Sequence, residues 1–262
     1  MSAVTRGVPE AGAAGAGGLP RILVGADAQH AGRLAAGVVL STVRANPAAV
    51  LGLATGSSPL PLYAALADAA MDFSRVSGFA LDEYLGLPDG HPQSYAEVIR
   101  TAVTEPLGLD PRRVHVPDPH GTDHAGHAAE YDAAIDAAGG VDVQILGVGS
   151  NGHVGFNEPG SAFDSRTRVV ALAERTRQDN ARFFDTPDQV PRECLTQGIA
   201  TIFGARHLLL IAHGAQKAEP VRRALHGPVT EDFPASIIQR HPRVTVVLDE
   251  AAATLLGRAS AE

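Results

Sequence analysis

The feature that most constrains the fold of this chain is an alternation of short apolar runs with longer, alanine-rich stretches of helical spacing. The short runs are rich in Val, Ile and Leu and are bounded by Gly or Pro, a pattern that predicts strands. These strands are predicted over residues 21–24, 49–53, 79–81, 143–148, 208–212 and 244–248. The stretches between them predict helices over residues 28–44, 59–69, 95–104, 124–138 and 216–225.

Most of the predicted strands are apolar almost throughout, as expected where helices cover both faces of a sheet. We therefore predict an α/β fold in one domain, with a doubly wound, mostly parallel sheet and helices on both faces. Residues 1–20 are mostly Gly and Ala with few large apolar side chains, which predicts a disordered tail. The predicted domain thus covers residues 21–262. Ligands in such sheets bind at the carboxyl ends of the strands.

Composition excludes several classes of protein. A net charge of −8, from 21 Lys+Arg against 29 Asp+Glu, argues against nucleic acid or an acidic membrane surface as the main partner. The single cysteine, Cys194, excludes an internal disulfide and a Cys-built zinc site, and it fits a reducing cytoplasm. No apolar run reaches a membrane span of about 18 residues, and the chain start lacks the apolar stretch of a secretion signal. We expect a soluble, cytoplasmic protein that binds any anion locally.

The loop after the second predicted strand has the composition of a phosphate site. Thr55, Gly56, Ser57 and Ser58 are small residues directly before Pro59, which can begin a helix without losing a needed N–H group. Small residues let a ligand approach the backbone, and the free N–H groups of a helix N-terminus favour an anion. The alternative is an ordinary helix cap formed by Ser57 or Ser58.

Two adjacent carboxylates, Asp82 and Glu83, follow the third predicted strand. Neighbouring side chains of an extended segment point in opposite directions, so only one of them is expected to face a cleft at the sheet edge. That carboxylate could act as a general base, its pKa raised by a dry pocket. The alternative is a solvated loop acid.

The segment 147–159 after the fourth predicted strand is the densest in polar and glycine residues. Asn151, His153 and Glu158 place an amide, an imidazole and a carboxylate within a short stretch of glycine-rich loop. Histidine suits proton transfer near neutral pH, and an amide or carboxylate partner can fix its tautomer and tune its pKa. This loop is therefore the strongest candidate for acid–base chemistry.

Two cations complete the candidate site. Arg182 lies in the sequence Asn-Ala-Arg-Phe-Phe, and Lys217 is predicted to lie in the first turn of the last helix. A lysine there opposes the helix dipole, which an anionic ligand would explain. The alternative is a surface lysine whose stem covers apolar neighbours.

Other polar residues fit a structural role better. Four histidines cluster in a Pro/Gly-rich loop and the helix start that follows it, namely His115, His120, His124 and His127. No cysteine or clear carboxylate pattern accompanies them, so we predict no metal site. Cys194 has no evident activating neighbour and is predicted to be a small core residue.

With these motifs in place, the chain resembles the glucosamine-6-phosphate deaminases, also called glucosamine-6-phosphate isomerases. The matching stretches follow the order of that family and cover essentially residues 21–253. They are residues 52–59, 81–87, 147–159, 165–168, 181–184 and 214–218. The His-x-x-Phe-Asn-Glu-Pro sequence within 147–159 is the most specific of them, whereas Gly-x-Gly-x-x-Gly-His alone would indicate only the wider superfamily that includes 6-phosphogluconolactonase.

The resemblance implies a Rossmann-like fold and the conversion of glucosamine 6-phosphate and water to fructose 6-phosphate and ammonia in amino-sugar catabolism. It implies a small sugar phosphate as partner and no metal or redox cofactor. By position, Asp82 is the base for the C2 proton and His153 handles the ring-oxygen proton, supported by Asn151 and Glu158. Phosphate would be held by residues 55–58 with Arg182 and Lys217.

The resemblance also implies a lid and exposes three departures from the family. Residues 176–184, here called the lid segment, are predicted to close over the ligand that Arg182 holds. Many members carry Asp where this chain has Asn151, and Val170 stands where an allosterically activated member has Lys. The tail before Arg21 is the third departure. Activation by N-acetylglucosamine 6-phosphate is therefore not expected by default, and a homo-oligomer remains open.

Two rival functions are compatible with parts of this pattern. A sugar-phosphate hydrolase of the lactonase type would share the fold and the phosphate site, but the stretches Asn-Glu-Pro and Asp-Glu-Tyr speak against it. A sugar-phosphate sensor without activity would lack the proton-transfer groups or carry a DNA-binding module. The twenty residues before the domain are too few and too glycine-rich for a helix-turn-helix.

Overall fold

The computed structural model describes residues 19–257, and its strands form one large and one small sheet. In chain order the strands are β1 (Arg21–Gly25), β2 (Val50–Leu53), β3 (Ser77–Ala80), β4 (Asp82–Tyr84), β5 (Val114–His115), β6 (Val143–Leu146), β7 (Arg168–Ala171), β8 (Glu193–Thr196), β9 (Leu208–Ala212) and β10 (Val244–Asp249). Of the tail predicted over residues 1–20, all but Leu19 and Pro20 lie outside the described residues.

The large sheet has seven strands in the order β1-β10-β9-β6-β2-β3-β5, and its neighbouring strands are all parallel. Every residue of β2, β6, β9 and β10 is buried, because helices cover both faces of the sheet. The predicted α/β architecture is therefore confirmed. The predicted strands all form, but the third covers Ser77–Ala80 and the fourth ends at Leu146.

The small sheet was not predicted from the sequence. Its three strands lie in the order β4-β8-β7 and pair in antiparallel fashion. They are short and carry polar residues, and β4 is the sequence Asp-Glu-Tyr, in which two of three residues are depleted in strands. Only Leu81 separates β3 from β4, so Asp82 lies where the chain passes from the large sheet to the small one.

The helices are α1 (Ala28–Ala45), α2 (Leu60–Ala67), α3 (Tyr95–Ile99), α4 (Glu105–Leu107), α5 (His124–Ala137), α6 (Glu174–Asn180), α7 (Ile199–Phe203) and α8 (Ala218–His226). A π-helical turn covers Arg100–Thr104, and 3-10 helices cover Pro111–Arg113, Ala181–Phe183, Pro187–Gln189, Ala215–Lys217 and Pro234–Arg240. No helix within residues 19–257 has the length and apolar character that a membrane crossing requires.

Two predicted helices differ from the observed ones. The helix predicted over residues 95–104 changes to π-helical hydrogen bonding after Ile99. The helix predicted over residues 216–225 begins as a 3-10 turn, and its α-helical part starts at Ala218. Lys217 therefore ends the 3-10 turn that precedes α8, rather than lying within the first α-helical turn.

The strand order explains why the candidate residues can meet. Strands β9, β6, β2 and β3 are consecutive neighbours in the large sheet. Because they are parallel, the segments that follow their carboxyl ends lie at one edge. Those segments carry Lys217, the loop 147–159, the loop 55–58 and Asp82, respectively.

Candidate active site

A cavity of about 340 Å³ opens at this edge of the large sheet. Most of the predicted site residues line it: Thr55, Gly56, Ser57, Ser58, Asp82, His153, Arg182 and Lys217. The remaining two, Asn151 and Glu158, do not line the cavity but contact each other and lie next to His153. The structure therefore brings all ten residues into one region, although they come from distant parts of the chain.

The loop 55–58 lies directly after β2 and before α2. Pro59 is the N-cap of α2, and no side chain makes a capping hydrogen bond there, so the alternative of a cap by Ser57 or Ser58 is wrong. Both serines line the cavity instead. Gly56 has a φ of 83°, a conformation that favours glycine. Together, the loop and the helix N-terminus can offer N–H and O–H donors to an anion.

Lys217 follows β9, whereas Asp82 follows β3, so the two residues reach the cavity from opposite ends of this group of four strands. Its Nζ donates a hydrogen bond to the backbone oxygen of Val148 at 2.7 Å. Burial lowers the pKa of Lys217, the Asp179 carboxylate opposes this effect and Arg182 adds to it. A phosphate dianion beside it would favour the charged form. Because Lys217 is partly buried and lines the cavity, it is not an ordinary surface lysine.

Arg182 belongs to the 3-10 turn Ala181–Phe183 that follows α6. Its guanidinium carbon lies 4.7 Å from the centre of the Phe183 ring. This packing holds a planar cation at the cavity, where it can bind a phosphate through two N–H groups.

Asp82 is the buried carboxylate of the cavity. It is 3% exposed, and its Oδ1 is buried with no hydrogen-bond partner among the described residues. Burial raises the pKa of Asp82 well above its ordinary value, and the neighbouring Glu83 raises it further. A carboxylate that is poorly solvated and has a free oxygen is suited to take up a proton from a ligand.

Glu83 points away from the cavity, as the alternation along an extended segment predicts. Its carboxylate accepts hydrogen bonds from the backbone N–H groups of Tyr84 at 2.7 Å, Tyr95 at 2.9 Å and Ala96 at 2.7 Å. Burial raises the pKa of Glu83 in spite of these bonds, which lower it. Neither acidic residue is a solvated loop acid: Asp82 faces the cavity, and Glu83 holds the start of α3 against β4.

His153 is fixed by two neighbours on its own loop. The Nδ2 group of Asn151 donates to Oε2 of Glu158 at 2.7 Å, and Oδ1 of Asn151 lies 2.8 Å from Nδ1 of His153. Only the NH₂ end of an amide can donate to a carboxylate, so Oδ1 must accept from His153 and Nδ1 must carry hydrogen. In neutral His153, Nε2 is therefore left as a proton acceptor.

The electrostatic environment of His153 combines opposing effects. Burial lowers the pKa of His153, Glu158 raises it, Lys217 lowers it and Asp179 raises it. A close backbone approach also fixes the ring, since a Cβ atom at Gly149 would lie 2.2 Å from the imidazole. Neutral His153 is thus favoured, with its ring held in one orientation.

Several residues that line the cavity were not predicted. Tyr95 stacks on Phe156, with ring centres 5.8 Å apart and an interplanar angle of 9°. Thr176, Asp179 and Asn180 line it from α6, within the lid segment. Tyr95 begins the helix predicted over residues 95–104, but that pattern does not place it at the cavity. The other three lie on α6, which follows β7 of the small sheet and was predicted only as part of the lid segment.

The four histidines that cluster in the sequence do not form one group: His124 and His127 contact each other with ring centres 6.3 Å apart, whereas the other two have separate surroundings. His115 stacks on Phe79 with ring centres 4.6 Å apart, and Nε2 of His120 lies 3.5 Å from a carboxylate oxygen of Asp89. No group of three or more His, Cys, Asp or Glu side chains suited to a metal ion occurs in the part of the chain that the structure describes. Cys194 is fully buried in β8, as predicted for a core residue.

Comparison with known proteins identifies the family of this chain. The sequence profile of the family described as glucosamine-6-phosphate isomerases/6-phosphogluconolactonase matches residues 26–247. A glucosamine-6-phosphate deaminase of Pseudarthrobacter chlorophenolicus is 57% identical over 228 residues, which are 86% of this chain and 88% of the relative. One of Bifidobacterium longum is 53% identical over 251 residues, or 91% of this chain and 93% of the relative.

Solved structures of proteins from this family have the same fold as this chain. A monomeric glucosamine-6-phosphate deaminase has a TM-score of 0.87 and 39% identity, covering 90% of this chain and 99% of its own. A 6-phosphogluconolactonase from Trypanosoma cruzi has a TM-score of 0.74 at 20% identity, covering 91% of this chain and 97% of its own, and shares the fold. The chain belongs to the family of glucosamine-6-phosphate isomerases and 6-phosphogluconolactonases.

Proposed function

We propose that this protein is a glucosamine-6-phosphate deaminase, which converts glucosamine 6-phosphate and water to fructose 6-phosphate and ammonia. Two relatives with that name share more than half of their aligned residues with this chain. The observation that carries the proposal is the pair of proton-transfer groups on one cavity. Buried Asp82 and oriented His153 both line it together with the predicted phosphate ligands.

The phosphate would bind first to the loop 55–58, Arg182 and Lys217. This contact is remote from the reacting carbons, so its binding energy serves to orient the sugar rather than to stabilise both states equally. Nε2 of His153 then accepts the proton of the C1 hydroxyl and returns a proton to the ring oxygen. The pyranose opens to the aldehyde in this step.

Asp82 acts on the open chain. Its carboxylate takes the proton from C2 and gives a proton to C1, while the amino group loses one proton and the C1 oxygen gains one, so that the amino aldehyde becomes a C2 imine with a C1 hydroxyl group. Water adds to the imine carbon, ammonia leaves and the C2 ketone of fructose 6-phosphate remains. These steps move only protons, water and ammonia, so we propose that they need neither a metal nor a redox cofactor.

The test is a coupled assay of ammonia and fructose 6-phosphate from purified protein and glucosamine 6-phosphate, with 6-phosphogluconolactone hydrolysis measured in parallel. We expect equal amounts of both products and no lactone hydrolysis above the spontaneous rate. Lactone hydrolysis without ammonia would favour the hydrolase. Binding of glucosamine 6-phosphate with neither reaction would favour the sensor.

The Asp82→Asn variant assigns the base. We expect it to bind glucosamine 6-phosphate and to lose ammonia release by at least about a hundredfold, since general acid–base groups contribute roughly 10²–10⁴-fold. Unchanged turnover would refute the role given to Asp82.

We also place the protein in the cytoplasm, where sugar phosphates are metabolised. The solved relative is described as monomeric, which gives no support to the open homo-oligomer.

A further inference from the structure

One side chain of the lid segment contacts the carboxylate next to the proposed acid–base histidine. The hydroxyl group of Thr176 donates a hydrogen bond to Oε1 of Glu158. Thr176 is only 2% exposed, although it lies on α6 at the cavity. This partly buried contact therefore joins α6 of the lid segment to the loop 147–159.

The other oxygen of the same carboxylate serves the histidine. Oε2 of Glu158 accepts from Asn151 at 2.7 Å and lies 3.8 Å from Nδ1 of His153. One carboxylate oxygen is thus held by the lid and the other by the loop. With a donor on each oxygen, the Glu158 carboxylate is held in place. Because it can only accept hydrogen bonds, it binds the NH₂ end of the Asn151 amide and leaves Oδ1 to face His153.

We propose that Thr176 is a positioning residue, through which the lid segment holds Glu158, and hence Asn151 and His153, in the arrangement for proton transfer. This inference rests on the proposed function. A lid that moves away removes the donor from Oε1, so the histidine is aligned only while the lid covers the sugar. Ring opening is thereby confined to a ligand that water cannot reach freely.

Loss of the hydroxyl should change both the rate and its pH dependence. Without this donor the Glu158 carboxylate is no longer fixed beside Nδ1 of His153, so it supports imidazolium less well and the pKa of His153 falls further. The other charged groups that act on His153 are Asp179 and Lys217, and they are unchanged. Phosphate binding uses other side chains, so the KM is expected to change little.

The experiment compares Thr176→Ser with Thr176→Ala, a pair that differs only in the hydroxyl group. We expect the serine variant to keep about half or more of the wild-type kcat, and the alanine variant to lose about tenfold or more, the scale of one hydrogen bond to a charged group. The KM should stay within about twofold in both. Thr186→Ala is the matched control, because Thr186 is exposed and makes no side-chain cap of the turn it precedes.

Two further measurements separate positioning from a general loss of structure. In a Glu158→Gln background, Thr176→Ala should cost much less than in the wild type, because the two residues act as one unit. The ¹⁵N-detected pKa of His153 should be lower in the alanine variant than in the serine variant. Equal kcat and equal His153 titration in these two variants, or additive losses with Glu158→Gln, would overturn the inference. Wild-type protein that releases no ammonia would instead refute the proposed function.

Discussion

At the scale of single residues, the burial of Asp82 favours its proposed role as a base but lowers the stability of the folded protein. Burial with an unpartnered oxygen raises its pKa, which makes the carboxyl a stronger base when ionised but costs stability. A raised carboxyl pKa means that the folded state binds the proton more tightly than the unfolded state. The stability gained is complete below the unfolded pKa and is lost as pH rises through the folded pKa.

The Asp82→Asn variant should therefore be more stable than the wild type at high pH. We expect a gain in unfolding free energy of about 1–3 kcal/mol at pH 8, because an unpaired buried charge is removed. The gain should shrink at pH 4, where Asp82 is protonated in the folded protein. Urea unfolding of both proteins at the two pH values checks this, and a difference that does not depend on pH would contradict it.

Asn151 offers a second test at the same scale. An Asn151→Asp substitution adds a negative charge 2.8 Å from the ring of His153 and should raise the pKa of that histidine. Since we propose that neutral His153 acts as a base, the acidic limb of the pH–rate profile should move upward by about one pH unit. The exposed Asn46→Asp is the control. No upward displacement of the limb would contradict the role of Asn151.

At the scale of elements, Glu83 joins β4 to α3. In a Glu83→Gln variant, the amide NH₂ would face at least one of the three backbone N–H groups that the carboxylate now accepts. We expect a loss of about 1–3 kcal/mol in unfolding free energy, the cost of an unsatisfied buried donor.

Urea unfolding measures that loss, and Glu97→Gln on the same helix is the control. Glu97 forms an ion pair with Arg100 at 2.7 Å on the protein surface, and the loss of such an exposed pair should change stability very little. If both variants lost the same stability, Glu83 would have no special part in holding α3.

The lid segment supplies the second prediction about elements. Several of its residues line the cavity, and its side chains contact the rest of the protein at separate points, such as Asn180, whose Nδ2 donates to the Tyr84 hydroxyl at 2.9 Å. A bound substrate analogue adds the contact to Arg182, so hydrogen exchange in residues 176–184 should slow down. Strand β9 serves as the internal control. Equal exchange with and without the analogue would count against closure.

The sequence predicts some strands of this fold and misses others. Long apolar runs such as β9 and β10 are recognisable because every residue is buried, and the polar loops at their ends follow from the parallel order. The pairing of Asp82–Tyr84 as strand β4 was missed, since Asp and Glu disfavour strands and the partner strand β8 is distant in the sequence. Likewise Tyr95 and Thr176 reach the cavity through tertiary packing that no local pattern records.

At the scale of the whole molecule, Lys217 is the single lysine among 262 residues. Its lowered pKa leaves more of the free amine at neutral pH, so it should react readily with acylating reagents. We expect loss of activity in step with acylation of one lysine, and protection by inorganic phosphate. Peptide mass spectrometry locates the acyl group. Full activity after acylation of Lys217 would contradict its role as a phosphate ligand.

With the proposed phosphate site in view, the net charge of −8 argues against large anionic partners only. A basic surface is needed to bind an extended polyanion, whereas one phosphate group needs only two side-chain cations and the N–H groups at the start of α2. Arg182 and Lys217 lie together on the cavity within an acidic chain. Composition therefore limits the size of an anionic partner and leaves small anions open.

The passage of the chain from β3 to β4 through Leu81 has a geometric consequence. The proposed phosphate loop follows a strand of the large sheet, whereas Asp82, the proposed base, begins the small one, so the offset between the two sheets sets the distance between them. Under the proposed function, this distance selects the carbon that loses its proton by its position along the sugar relative to the phosphate. A substrate longer or shorter by one carbon is then expected to present the wrong carbon to Asp82.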